Sequence, residues 1–441
     1  MRRERFGAAA SHALELLSLG DDSTVNRLLL GWSLDRAGNR FLTPGFEVGT
    51  RQDPLPIDGS LSGKGDELVL VDGAGRATLY SISGAQAAVV ATLGQGDAAV
   101  PHRIVRARFA PGLGLLADGQ FGPARLWSTP AGVAIAELRP PTGRVPVIGE
   151  EFIVVADHRG RRIAGATRRS GGVSLWSVPG MQRTEVRAPD RAGVQRLVFS
   201  ADDRLLAVLN AAGSISIHDA GTGQQLHSIE TGATTIDLQF LPARSELLVL
   251  FEKSLELVTL QGSRTALRLN ANQGYVQDVA VDAQGEKVAG ALSDGTIALW
   301  DLGRGAHRAA LKDELASTDE LTSDLGPPID LSSYGEGERV TQGMARVAFA
   351  GNDALLVGMH TRGRICVWSI ETLQTLLCMD GPRGRRLGMR RAAMLDRFLV
   401  WGEARQDGGQ PRVFDLPITT ESQGALRRLV DALPADPMGP Q

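Results

Sequence analysis

The sequence predicts an all-β chain: a β-propeller of four-stranded antiparallel blades, with short helices at the two ends. Two observations predict it. Apolar and aromatic landmarks recur at a period of about 40 to 45 residues, and between them one order of strands and turns is repeated. A third observation concerns size, because 441 residues exceed one ordinary compact domain and suit a large repeat architecture.

The clearest unit runs from Val276 to Asp301: an alternating strand, a Gly turn, a second apolar strand, a Ser-Asp-Gly turn and a third strand ending in Trp-Asp. The same order returns from Val194 to Asp219 and from Met344 to Trp368. Weaker copies end their third strand at Tyr80, Trp127, Trp176, Val258 and Phe414; with His218, Trp300 and Trp368 these make eight landmarks. Successive landmarks lie 47, 49, 42, 40, 42, 68 and 46 residues apart, so each interval has room for four strands and one interval is lengthened. Eight landmarks predict eight blades, with a seven-bladed ring and one irregular unit outside it as the alternative. The segment Asn39 to Val48 is expected to supply the missing fourth strand of the last blade, which would close the ring by its two ends.

These repeats resemble the WD40 family over about residues 50–416. A Trp-Asp pair stands only at Trp300-Asp301, His218-Asp219 and Phe414-Asp415 replace it elsewhere, and the family's Gly-His start is absent, so its internal hydrogen-bond network is not carried over. The resemblance implies a rigid disc used for protein–protein interaction, an inference from fold and not from a site. The expected organisation is residues 1–49 as helix and ring-closing strand, 50–416 as propeller with an acidic insertion near 312–343, and 417–441 as amphipathic helix and tail.

The N-terminal segment is basic, but His12 and Glu15 interrupt the apolar core that a secretory signal needs, and no apolar run reaches the roughly 20 residues that span a bilayer. A cytoplasmic address and no membrane insertion are expected. The formal charge of −3 gives no reason to expect nucleic acid as a partner. Arginine greatly outnumbers lysine, which suggests a GC-rich bacterial coding sequence. Helices are expected at Ala8–Leu17 and at Ser422–Leu433, where Leu426, Leu429, Val430 and Leu433 form one stripe. The plain expectation is that both cap the ring; the functional one is that they dock a partner.

Strand order fixes which loops share a face, since turns between strands two and three and connections between blades emerge together. The acidic insertion, with Asp313, Glu314, Asp319, Glu320 and Asp324, is such a connection, read either as a partner-binding loop or as a solvated insertion. Gly381 to Arg391, with Arg383, Arg385, Arg386, Arg390 and Arg391, is read as another, and Arg168-Arg169 as a turn on the same face. Arginine clusters take carboxylate or phosphate in bidentate fashion, but can equally be solvated or pair with the acidic insertion as a weak, salt-sensitive latch. Arg159, Arg161 and Arg162 belong to the opposite face.

Cys366 and Cys378 stand equidistant from a turn near Thr372 and are expected to face each other across a hairpin, as packed thiols in a reducing compartment, although a disulfide is geometrically conceivable. The seven histidines show no zinc-ligand spacing, and neither a phosphate-binding Gly-Lys loop nor a Gly-x-Ser-x-Gly elbow occurs. No cofactor is therefore expected. The favoured function is a non-catalytic scaffold in a signalling, defence or regulatory assembly; a ligand-sensing module controlling a separate enzyme, and a propeller enzyme with a channel active site, are the alternatives.

Overall fold

The computed structural model describes residues 2–37, 45–50, 53–94, 103–120, 122–139, 151–169, 171–186, 193–231, 235–251, 254–267, 274–303, 306–311, 344–382, 387–402, 410–416 and 418. The strands among them sort into eight antiparallel groups of four, here blades I to VIII. Their first strands are Pro56–Leu61, Arg103–Ala110, Glu151–Ala156, Val194–Phe199, Thr235–Phe240, Val276–Val281, Met344–Ala350 and Gly388–Arg391. Blades II and III share a continuous sheet, because Glu151 and Phe152 pair with Gln120 and Gly119.

Each of the eight landmarks occupies the same register position, opposite an apolar residue of strand two. Examples are Leu68↔Tyr80, Ile163↔Trp176, Leu206↔His218, Leu247↔Val258 and Phe398↔Phe414. All eight are buried. Period-2 alternation turns both faces of a blade toward its neighbours, so apolar clusters form between blades. One such cluster joins every consecutive pair: Leu79 with Leu115 between I and II, Val249 with Ala207 between IV and V, and Leu399 with Leu68 between VIII and I. The last of these returns the cycle to its start.

The return is anchored by strand pairing from the other end of the chain. Phe46 and Glu47 pair antiparallel with Val413 and Arg412, making the fourth strand of blade VIII. Val48 N–H donates to Pro411 O at 2.8 Å, and Gln410 Nε2 to Thr50 O at 2.7 Å. The outer edge of this last blade is thus closed by residues 365 or so positions away in sequence, as the Arg412–Glu47 contact at 3.0 Å records.

Two helices precede the ring. Helix α1 (Arg2–Ser18) contains the expected Ala8–Leu17; helix α2 (Thr24–Ala37) was not anticipated. Its start is signalled locally, since Ser23 Oγ accepts from Asn26 N–H at 3.2 Å as an N-cap. Helix α1 buries Ala10, Ala13, Leu14 and Leu17 in the hairpin with α2. Helix α2 in turn places Leu28, Val25 and Trp32 against blades VII and VIII. Helix α1 thus packs on α2, and α2 packs on the ring. The expected helix at Ser422–Leu433 and the acidic insertion lie outside the described residues.

Candidate functional site

In a blade whose strands run 1-2-3-4 outward, the between-blade connections and the 2–3 turns emerge at one end, here called the upper face, and the 1–2 and 3–4 turns at the other. Hydrogen bonds tie the upper ends together: Ala211 N to Gly193 O at 2.6 Å, Ser293 N to Tyr275 O at 3.0 Å and Gly381 N to Gly363 O at 2.7 Å. Arg168 and Arg169 are on this face, as expected. Arg168 is already engaged, its Nε 2.6 Å from Glu151 Oε2, whereas Arg169 is exposed.

Arg390 and Arg391 are not in a loop. They belong to the first strand of blade VIII, which corrects the expectation that they share the upper face with Arg383, Arg385 and Arg386. A strand turns successive side chains apart. Arg391 reaches the lower face, where its Nη2 pairs with Asp396 Oδ1 at 2.8 Å and its Nη1 donates to Phe349 O at 3.1 Å. Arg390 lines the axis. Arg383, Arg385, Arg386, Asp313, Glu314, Asp319, Glu320 and Asp324 lie outside the described residues.

The axial channel is the charged feature that the sequence reading missed. Residues of blades II, III, IV and VIII line one cavity of about 350 Å³, an arrangement that only the ring axis can produce. Six first strands carry a register shift at the same place, immediately before Asp58, Arg106, Arg196, Asp237, Asp278 and Arg346. A bulge re-aims the residue that follows it. Six of the eight positions on this tier of the ring are consequently charged. The signal was present in the sequence as a charge two or three residues into otherwise apolar inner strands, and aligning the repeats would have found it.

Most of these charges are paired across blade boundaries. Asp58 accepts from Arg108 Nη2 at 2.9 Å and also faces Arg108 Nη1; Arg196 Nε lies 2.9 Å from Asp237 Oδ1. Asp118, on the second strand of blade II, holds Arg106 Nε at 3.0 Å and accepts from Val154 N–H of blade III at 2.9 Å. Asp278 accepts from Val347 N–H of blade VII at 3.1 Å. Burial raises the pKa of both Asp118 and Asp278, while Arg106 and Arg346 respectively pull it back toward the charged form.

The turn carboxylates have structural partners too. Asp202 accepts from Arg204 N–H at 3.1 Å, as a local turn residue should. Asp203 instead crosses to blade III, accepting from His158 N–H at 2.8 Å, and Asp353 and Asp396 repeat that reach toward Ala283 and Gly351. Among the described residues no group of three or more His, Cys, Asp and Glu side chains could hold a metal ion, and no helix is long and apolar enough to cross a membrane.

Cys366 and Cys378 are directly opposed in the ladder of blade VII, with Cα atoms 4.1 Å apart, and their sulfurs are joined as a disulfide. The expected hairpin placement is found; the expected pair of free thiols is not.

A family model described as the anaphase-promoting complex subunit 4 WD40 domain matches residues 166–242, from strand two of blade III into blade V. No curated protein matches. Among solved structures, Saccharomyces cerevisiae Sqt1 is 12% identical with a TM-score of 0.60, covering 85% of this chain and 99% of that one. Chaetomium thermophilum Sqt1, solved bound to the N-terminus of the ribosomal protein L10, is 16% identical with a TM-score of 0.59, covering 84% and 98%. The C-terminal WD40 domain of Sif2 is 13% identical with a TM-score of 0.60, covering 85% and 99%. The chain folds as a WD40-type β-propeller.

Proposed function

We propose that this propeller is a non-catalytic scaffold that holds one or more proteins through the loops of its upper face. The observation that supports this most is topological: all between-blade connections and all 2–3 turns open on one side of a ring whose blades are fastened to each other by eight apolar clusters. Such a ring fixes the bases of many loops at once and leaves their sequences free to vary. A similar ring has been solved with the N-terminus of another protein bound, which illustrates the use without assigning the partner here. The assembly is read as a cytoplasmic, bacterial one, in signalling, defence or regulation.

The proposed contacts are Arg169, exposed on this face, together with the basic run Arg383, Arg385 and Arg386 and the acidic run from Asp313 to Asp324, which lie outside the described residues and are assigned to this face from strand order alone. Arg391 leaves the set because its partner is Asp396, and Arg168 is spoken for by Glu151. A latch between the remaining basic and acidic runs would be weak, with single surface pairs contributing about 0 to 1 kcal/mol and losing that in salt.

The test is affinity capture of the intact chain and of a 313–338 deletion from native cells, with mass spectrometry of co-purifying proteins. The expected result is a defined partner set diminished by the deletion, with an unchanged thermal transition. A chain that captures nothing would remove the scaffold reading. The ligand-sensing alternative is favoured by one specific observation, the axial cavity.

A further inference from the structure

The cavity on the ring axis is lined by Arg106, Arg108, Arg196 and Arg390 but by a single carboxylate, Asp118. Three of these arginines are neutralised by neighbours: Arg106 by Asp118, Arg108 by Asp58 and Arg196 by Asp237. Arg390 has no hydrogen bond or ion pair among the described residues. Its strongest charged influence is the like charge of Arg108, which Asp58 opposes; Arg346 adds a second like charge, which Asp278 opposes, and neither carboxylate pairs with Arg390 directly.

Arg390 is exposed to the channel yet surrounded by protein on every side, as a side chain standing in a narrow pore must be. That crowding, more than any single neighbour, lowers its pKa to about 10, so it is still cationic at neutral pH. A desolvated cation beside like charges is relieved by a counter-ion, and a guanidinium presents a planar fork matched to two oxygens. An adjoining axial cavity shared by Arg196, Arg346 and Arg390 contains Gln277, whose Nε2 is buried with no acceptor. The same cavity holds Asp237 and Asp278, but Asp237 is paired with Arg196 and Asp278 accepts from Val347 N–H, which leaves Arg390 without a direct partner among the described residues.

We propose that the channel contains an oxyanion site centred on Arg390, with Arg108 lining the same cavity, which takes a phosphate or carboxylate group. The cavity volume falls within the range of small-molecule sites, and its position on the axis opens it equally to an acidic side chain inserted by a bound protein. This goes beyond the scaffold reading and stands or falls independently of any captured partner.

The experiment is calorimetric titration of the full chain with sodium pyrophosphate at low ionic strength, repeated on Arg390→Gln, on Arg390→Lys and on the control Arg204→Gln, at an exposed turn arginine away from both proposed sites. Saturable binding is expected, weakened roughly tenfold or more in Arg390→Gln, less in Arg390→Lys, and unchanged in Arg204→Gln. Without ligand, Arg390→Gln should melt no lower than the parent, because no hydrogen bond or ion pair among the described residues is lost with it; this also shows that the variant folds. A hexaglutamate peptide that displaces pyrophosphate assigns the site to acidic side chains of a partner, and one that fails to do so assigns it to free anions. Absence of saturable pyrophosphate binding, or binding that Arg390→Gln leaves intact, overturns the proposal.

Discussion

Gly358 lies beneath the indole of Trp368, so close that a Cβ on the glycine would stand 2.9 Å from the Cζ3 of the ring. The same relationship joins Gly165 to Trp176 at 2.8 Å and Gly290 to Trp300 at 2.9 Å. Where the landmark is not tryptophan, the equivalent residue is larger: Leu70 with Tyr80, Val208 with His218, Val249 with Val258 and Val400 with Phe414. The ring and the residue below it share one volume, and each blade divides that volume differently.

Gly358→Ala should accordingly destabilise the chain by about 1–3 kcal/mol, the usual cost of overpacking a filled core. Its added methyl would also stand 2.7 Å from Ile297 Cδ1 of blade VI, so the strain crosses the interface. Chemical denaturation measures the loss. In a double-mutant cycle Trp368→Phe should recover part of it, because the smaller ring vacates the contested space; strictly additive losses would refute the shared-volume account.

His218 takes a tryptophan's place in blade IV without access to water. Nε2 lies 2.8 Å from Ser216 Oγ and Nδ1 3.3 Å from Gly223 O, a set satisfied by a neutral ring that donates from Nδ1 and accepts at Nε2. Burial lowers its pKa, with the Gly223 carbonyl opposing. The unfolded chain, at an ordinary histidine pKa of about 6.5, therefore protonates first. The stability associated with His218 should be complete above that value and should be lost as pH falls below it. Denaturant midpoints of the parent and His218→Gln, compared from pH 7.5 down to 5, should converge on acidification; parallel curves would mean that the ring titrates alike in the folded and unfolded states.

Asp118 joins two blades through one carboxylate, since it sits in blade II, holds Arg106 of the same blade and receives Val154 N–H from blade III. Asp118→Ala strands a crowded arginine and a buried amide, which should cost about 3–5 kcal/mol. Asp118→Asn keeps an acceptor for Val154 and should cost clearly less. Thermal unfolding of the two variants distinguishes a pair that matters through its charge from one that matters through its hydrogen bonds.

Strand order and period were legible because each repeat buries its landmark at one register position, so eight independent stretches of sequence carry the same constraint. The closing strand was legible in kind: Phe46 and Glu47 fall inside the segment expected to pair. Helix α2 was missed although Ser23 caps it, because Leu28 to Leu30 continues no single apolar stripe. The axial charges were missed for a different reason. Arg106 or Asp278 read alone is an ordinary polar residue on an edge strand, and only the circular arrangement of the blades brings Arg390 opposite Arg196. Arg391 was misplaced because a basic run reads as loop until its glycine, Gly388, is seen to begin a strand beneath Trp401.

Ring closure gives the last prediction. Without residues 1–50, blade VIII would keep three strands, and Arg412–Asp415 would become an open edge with free backbone donors and acceptors. Val48, 1% exposed, would also leave the cluster it forms with Leu399 and Val413 between blades VIII and I. A chain lacking 1–37 loses only the helical hairpin and uncovers the surface under Leu28, whereas one lacking 1–50 loses the latch as well. The shorter deletion should stay folded and elute as the parent does, with a modestly lower melting temperature; the longer should lose cooperativity or associate through the exposed edge, as read by thermal denaturation and size-exclusion chromatography. Adding back a synthetic peptide of residues 39–50 should restore part of the transition of the longer deletion, because strand pairing requires only that the segment be present. Equal behaviour of the two deletions would mean that the ring holds through its eight apolar interfaces without its closing strand.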